Sequence, residues 1–544
     1  MNKSVKLSEL NTNKTIADLL RRQDVRVILP CGGMGSCGKC TVKVHFNGDG
    51  KILKAIEVLS CQTTAAQLFE LAPAGCTEVT FEIDNSKILT SGPSTFSSEN
   101  LTETASSDIN PDTSGSSPDK KINGKPYLAA VDLGSTTIET AVLTPDGELI
   151  GSVRKRNPQV SYGADVISRI KAAASSRIAA SDMQRLAEST IAASLSELYS
   201  RYGLSKIPSK MAVAANTTMG HLLEGADVRS LGEAPFDPGD ISLKDISRIF
   251  FTDKAPVYLL PGISTFVGGD IVSGIYYLGI DKADEPSLLI DLGTNGEMVL
   301  GNRDALYVTS TAAGPAFEAA NISCGTPGLP GAITHVSFKG TRPALTLIPW
   351  EDDLSMLSPG ERMQQEIKLR NKRPLGLCGN GLISAVSSMK ATGIIDENGT
   401  YTNDEWIKKG FPLWKPSPVN KGEDPIILTQ DDIRELLFAK SAVRSGIEIL
   451  MKRSHLTPSR VYLAGGFGST LSADEAASIG LFPETLSGRT AAVGNTSLKG
   501  AVKFLSEDSP EVRMRLSQIR DKSHEIVLAD DKDFEDLYLN NLRV

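Results

Sequence analysis

No stretch of this 544-residue chain approaches the ~20 uncharged apolar residues that a membrane-spanning helix needs. The opening, Met1-Asn2-Lys3-Ser4-Val5-Lys6-Leu7, lacks the apolar core of a signal peptide. Both absences set the expectation of a cytoplasmic protein with no membrane partner. Clusters of lysine and arginine are also missing, and the formal net charge is −8, which argues against nucleic acid as a partner. Histidine is scarce. His45, His221, His335, His455 and His524 are scattered, none in a motif-like setting, so each reads as structural. Seven cysteines are present, and their distribution is uneven: five precede residue 80, while Cys324 and Cys378 stand alone far downstream beside glycine turns, where a small buried residue is the plain reading.

Three of the early cysteines share one loop, Cys31-Gly-Gly-Met-Gly-Ser-Cys37-Gly-Lys-Cys40. Thiolates five and then two residues apart, on a backbone loosened by Gly32, Gly33, Gly35 and Gly38, can wrap one small metal centre. The spacing lies one residue from the plant-type ferredoxin pattern, in which a fourth cysteine further along completes a 2Fe-2S cluster. Two residues are available for that role. Cys61, in Leu59-Ser60-Cys61-Gln62, is preferred over Cys76 because ferredoxin-like domains commonly place the last ligand just after a helix or strand that packs beside the loop. Structural zinc is disfavoured, since only one Cys-x-x-Cys pair exists and His45 reads as a strand residue. A disulfide is disfavoured in a chain with no export signal. Short strands at residues 5–7, 41–46 and 79–83 with a helix over 15–22 suit a β-grasp ferredoxin domain over residues 1–88.

Residues 89–125, rich in Ser, Thr, Asp, Asn, Pro and Gly, have almost nothing apolar to bury and read as a flexible tether. After Pro126 the pattern becomes alternating strands and helices, and two segments nearly repeat. Leu128 to Thr137 and Leu288 to Glu297 each run an apolar strand into Asp-Leu-Gly-Ser/Thr and on into another strand, which implies two related lobes. The first lobe is expected over 126–205 and the remainder over 206–544. In each turn, glycine lets backbone amides approach a phosphate: Gly134 in one, Gly293 and Gly296 in the other. The polar groups of Ser135, Thr136, Thr137, Thr294 and Asn295 can contact its oxygens. The carboxylates of Asp132 and Asp291 can hold Mg2+ or its waters. A third apolar strand, Val461 to Ala464, ends in Gly465-Gly466-Phe467-Gly468, where Gly465, Gly466 and Gly468 can admit the flat face of adenosine. Two phosphate turns and an adenosine turn in this order resemble the acetate and sugar kinases, Hsp70 and actin. The fold class expected is therefore α+β and α/β multidomain: a β-grasp domain, a linker, and a two-lobed ATPase fold. No general base for a sugar hydroxyl is evident, so ATP used for conformational work fits better than phosphorylation.

The combination resembles the reductive activators of corrinoid proteins. Further segments carry the likeness: Asn157-Pro158-Gln159 with Tyr162 to Arg169, Asn216-Thr217-Thr218-Met219, Val267-Gly268-Gly269-Asp270, Ala313 to Glu318, Gly376 to Gly381, and Val493 to Thr496. It implies an electron-transfer ATPase of anaerobic methyl-transfer systems such as O-demethylation. Its 2Fe-2S cluster would return a stalled Co(II) corrinoid protein to Co(I), with ATP and Mg2+ as further cofactors. A low-potential electron donor such as a ferredoxin is implied as a second partner, and monomer and homodimer both stay open. The chain departs from the family pattern at Asn380, where serine is expected, and over Cys324 to Gly328. Two other readings compete: an activator of a radical dehydratase, which would lack the N-terminal cysteine loop, and a redox-sensing ATP-binding module that docks to a partner without turnover.

Overall fold

The computed structural model describes residues 2–10, 12–23, 25–27, 40–83, 88–90, 124–250, 255–350, 363, 369, 372–416, 422–465 and 471–544. Cys31 and Cys37, nearly all of the expected tether, and Gly466 and Gly468 lie outside these residues.

The N-terminal domain is built on a four-stranded sheet, in the order β1 (Asn2–Lys6), β5 (Glu78–Glu82), β3 (Thr41–Gly48), β4 (Lys51–Leu59), all neighbours antiparallel. Helices α1 (Ile16–Arg22) and α2 (Ala65–Leu71) start at Thr15 and Thr64, whose hydroxyls accept from the N–H of Asp18 and Gln67. A short ribbon, β2 (Val25–Val27) with β6 (Ile88–Thr90), completes it. Strict alternation buries Val42, Val44 and Phe46 with Val79 and Phe81, giving this domain its own core. The expected strands and helix are all present. β4 escaped the sequence reading because it is mostly exposed and its residues, Lys51-Ile-Leu-Lys-Ala-Ile-Glu-Val-Leu59, lack the alternation that marks a half-buried strand.

Two later six-stranded sheets share a five-stranded arrangement, with the sixth strand on opposite edges. The first six-stranded sheet has the order β11 (Lys244–Asp245), β12 (Val257–Leu259), β10 (Lys210–Ala215), β7 (Leu128–Leu133), β8 (Thr137–Leu143), β9 (Leu149–Arg156). Strands β7, β8 and β9 form antiparallel hairpins, while β10 and β12 run parallel to β7. The second sheet has the order β22 (Thr490–Gly494), β21 (Arg460–Gly465), β13 (Ser287–Leu292), β14 (Gly296–Gly301), β15 (Leu306–Thr311), β23 (Ser523–Glu525). Again three strands are antiparallel and the next two join in parallel beside the first. Both hairpin strands that open the repeats, β7 and β13, are buried along almost their whole length, which is why they read as continuous apolar runs.

The lobe boundary differs from the expected 205/206. β10 lies beyond that point yet pairs with β7 over six residues, so the first compact unit extends to Leu260 and the second begins at Pro261. A parallel crossover through the long helix α4 (Arg177–Tyr202) returns the chain to the same sheet, a connection that apolar periodicity cannot reveal. Among the described residues no helix is long and apolar enough to cross a membrane.

Candidate functional site

The β3–β4 hairpin positions the cysteines it flanks. Cys40 directly precedes β3, Cys61 follows β4 by two residues, and Thr41 pairs with Leu59 between them. The Ser60 N–H and hydroxyl both donate to the Cys40 carbonyl, at 3.1 and 2.9 Å. The result is two buried thiols with Sγ atoms 3.1 Å apart. The closeness of the two thiols fits two ligands of one small metal centre. Cys76 is placed elsewhere, its thiol directed at the Glu78 carbonyl 3.4 Å away. Among the described residues, then, Cys61 accompanies Cys40 and Cys76 does not. His45 lies in β3 with Nε2 2.7 Å from Glu82 Oε2, as a strand residue would.

The first Asp-Leu-Gly hairpin joins β7 to β8. Asp132 is the penultimate residue of β7, opposite Glu139, and Glu139 in turn lies opposite Arg154 of β9. Arg154 donates Nε and Nη2 to one oxygen of Glu139, at 3.2 and 2.9 Å. A Cβ on Gly134 would meet the Thr137 carbonyl oxygen at 2.8 Å, so the hairpin itself demands glycine there. Ser135 and Thr136 form the tip, with Thr137 opening β8.

The second hairpin joins β13 to β14 with the same register: Asp291 opposite Glu297, and Glu297 opposite Ser310 of β15. Burial, reinforced by the charges of Asp270 and Asp291, holds the Glu297 carboxyl well above the usual carboxylate range. Asp270 stands in the first turn of α5 (Gly269–Leu278), which brings a third carboxylate to this spot. Buried Thr294 donates to Glu318 Oε2 at 3.3 Å, and the Gly293 N–H donates to the Asn295 carbonyl at 2.9 Å. A Cβ on Gly293 would find its nearest neighbour, the Asn295 oxygen, at 3.8 Å, an ordinary contact. Chain packing therefore does not require glycine at 293, whereas close approach of a ligand would.

Two other glycines have packing reasons. A Cβ on Gly296 would come within 2.8 Å of a Val443 methyl. Gly465 pairs with Leu292, has φ of +112°, and a Cβ there would lie 2.2 Å from the Leu292 carbonyl oxygen. That same pairing sets Gly465 at the end of β21 beside the start of the Gly293-Thr294 turn, within one unit.

The scattered histidines occupy structural positions. His221 Nδ1 lies 2.8 Å from the Thr217 carbonyl in its own helix, His335 contacts Ser384 and Glu475, His455 caps a helix with φ of +57°, and His524 packs on Tyr307. Burial, with a contribution from Asp432, pushes the Cys324 thiol up to about 12, and burial raises Cys378 also, as expected of unreactive thiols. Sequence reasoning passed over Glu297 as a site residue, although its place opposite Asp291 was available from strand pairing once the hairpin was recognised.

Comparisons with known proteins divide the chain into three matched regions. Residues 3–66 match the 2Fe-2S iron-sulfur cluster binding domain, 127–283 the RACo middle region, and 285–544 the C-terminal domain of RACo, the ASKHA domain. The corrinoid activation enzyme RamQ of Eubacterium limosum is 25% identical, with 98% of this chain and 96% of RamQ aligned. The Co(II) methylated amine-specific corrinoid protein reductase of Methanosarcina barkeri is 26% identical over 62% of this chain and 63% of its own length. Among solved structures, a reductive activator for a corrinoid, iron-sulfur protein superposes with a TM-score of 0.67 at 26% identity, covering 98% of this chain and 96% of that one. With its cluster domain, middle region and ASKHA domain in this order, and its similarity to such proteins along nearly its whole length, the chain belongs to the family of reductive activators of corrinoid proteins.

Proposed function

We propose that this protein is an ATP-dependent reductive activator that passes one electron from a 2Fe-2S cluster to a corrinoid methyl carrier stalled as Co(II), restoring Co(I) for methyl transfer. The buried Cys40–Cys61 pair at the open end of the β3–β4 hairpin carries this reading. Cys31, Cys37, Cys40 and Cys61 would hold the cluster, which supplies a one-electron carrier at a potential of roughly −400 mV. Co(II)/Co(I) couples lie lower still by the family resemblance. A deficit of about 100 mV for one electron is about 2.3 kcal/mol, within reach of conformational work linked to ATP.

On the nucleotide side, Ser135, Thr136, Thr137, Thr294 and Asn295 bind phosphate oxygens with the amides around Gly134 and Gly293. Asp132 and Asp291 organise Mg2+ and water. The glycine-rich segment from Gly465 through Gly466 and Gly468 receives the adenosine. Burial and the charges of Asp270 and Asp291 favour the protonated form of Glu297, and a divalent cation held at this turn would favour its carboxylate form. A low-potential electron donor such as a ferredoxin supplies the electron.

The test is an anaerobic reductive titration followed by EPR, then addition of a Co(II) corrinoid protein with and without ATP. A one-electron cluster signal and ATP-accelerated loss of the Co(II) signal at substoichiometric protein are expected. Cys61→Ser should abolish the cluster signal and Cys76→Ser should retain it. A cluster that reduces but passes no electron to any corrinoid partner would instead indicate a redox-sensing module.

A further inference from the structure

Three of the segments singled out in the sequence, Asn157-Pro158-Gln159, Tyr162 to Arg169 and Asn216 to Met219, converge beneath the first phosphate turn. Asn157 directly follows β9, whose pairing with β8 sets it under the hairpin tip. Its backbone N–H donates to the Thr136 carbonyl at 2.8 Å, and its side-chain amide to the Gly134 carbonyl at 2.8 Å. The carbonyl between them, Ser135, accepts from Arg169 Nη2 at 2.6 Å. Three consecutive carbonyls of the turn are thus held from one side.

The holding residues are themselves fixed. Arg169 lies in helix α3 (Val166–Ser175), just inside the Asp165 cap, and is fully buried, as are Asn157 and Gln159. Its Nε donates to the Gly163 carbonyl at 3.0 Å, and its Nη1 lies 3.3 Å from Gln159 Oε1 and 3.2 Å from the Met219 sulfur. Gln159 is tied by its N–H to Asn157 Oδ1 at 3.0 Å and by its amide to the Met183 carbonyl at 2.9 Å. Met219 is anchored by the cap of its own helix, where its N–H donates to Asn216 Oδ1 at 2.9 Å.

In a trans peptide the C=O of one residue and the N–H of the next point in opposite directions. Holding the Gly134 and Ser135 carbonyls inward therefore turns the N–H groups of Ser135 and Thr136 outward, as an anion-binding nest requires. We propose that Arg169 and Asn157 are positioning residues that aim the amides of the first phosphate turn, so that the three segments form a rigid floor for the phosphate-binding tip. This inference rests on the nucleotide reading given above. A planar guanidinium fork matches several acceptors at once, which a lysine ammonium does not, so the arginine is specific to the role.

The experiment compares ATP and adenosine binding, by calorimetry on the full anaerobic protein, for the natural chain, Arg169→Lys and Asn157→Ser. The cluster EPR signal and thermal midpoint serve as folding readouts. ATP affinity should fall about tenfold in Arg169→Lys and several-fold in Asn157→Ser. Adenosine affinity, which involves no phosphate, should be unchanged in both. Should Arg169→Lys fail to fold, Asn157→Ser, which leaves the guanidinium in place, decides the matter by the same ATP-to-adenosine contrast. ATP affinity retained in folded variants, or an equal fall for ATP and adenosine, overturns the positioning role while leaving the nucleotide reading intact. A natural chain that binds no ATP overturns the nucleotide reading and this inference with it.

Discussion

The two Asp-Leu-Gly hairpins share strand order, register and a paired acid, yet they differ at one cross-strand position. Where the first lobe sets Arg154 opposite Glu139, the second sets Ser310 opposite Glu297. In the first, the acid is matched by a guanidinium on the neighbouring strand. In the second, Glu297 is buried, and desolvation together with the charges of Asp270 and Asp291 raises its pKa. Repeated topology thus carries unequal electrostatics, with the crowding of carboxylates confined to the second turn. The glycines differ in the same sense: Gly134 is required by the backbone of its own hairpin, while Gly293 is not.

The largest expected effect comes from removing the turn carboxylates. Asp291→Asn should lower ATP-dependent Co(II) reduction roughly a hundredfold and raise the Mg2+ concentration needed for half-maximal rate. Asp132→Asn should lower the rate without an equal shift in Mg2+ requirement. Equal shifts in both variants would break the comparison.

Next in size is the glycine contrast. Gly134→Ala forces a Cβ within 2.8 Å of the Thr137 oxygen and should destabilise the first lobe by about 2 kcal/mol, seen as a lower thermal midpoint without nucleotide. Gly293→Ala should leave that midpoint nearly unchanged yet weaken ATP binding about tenfold. Calorimetry with and without ATP separates the two.

A pH series sharpens the electrostatic difference. Because the folded state raises the Glu297 pKa, it binds a proton that the unfolded chain has released, so stability falls as pH rises above the model-peptide value of 4.5. Glu297→Gln should remove that slope, at most about 1.4 kcal/mol per pH unit, and thermal midpoints from pH 5 to 8 should show the variant gaining on the natural chain. Parallel profiles would mean that Glu297 is already ionised in the free protein.

The smallest effect belongs to the first hairpin. Arg154→Ser copies the second lobe's arrangement onto the first, and the partly exposed ion pair it removes should lower the midpoint by roughly 1–3 °C. A much larger drop would show that Glu139 depends strongly on its guanidinium partner.

The sequence by itself determined the cysteine loop, the two repeated turns and the glycine-rich strand end. Each is a local pattern whose chemistry follows from residue type and spacing, and the β7 and β13 strands are legible because burial on both faces makes them continuously apolar. It could rank Cys61 above Cys76, but only the β3–β4 pairing brings Cys61 beside Cys40, through a strand too exposed to leave an alternating signature. Tertiary structure alone extended the first lobe through β10, since parallel pairing joins residues separated by a long helix. The same is true of the unequal surroundings of Glu139 and Glu297 and of the floor made by Asn157, Gln159 and Arg169. These depend on which strands and helices lie side by side, and contacts between distant segments leave no period in the chain that carries them.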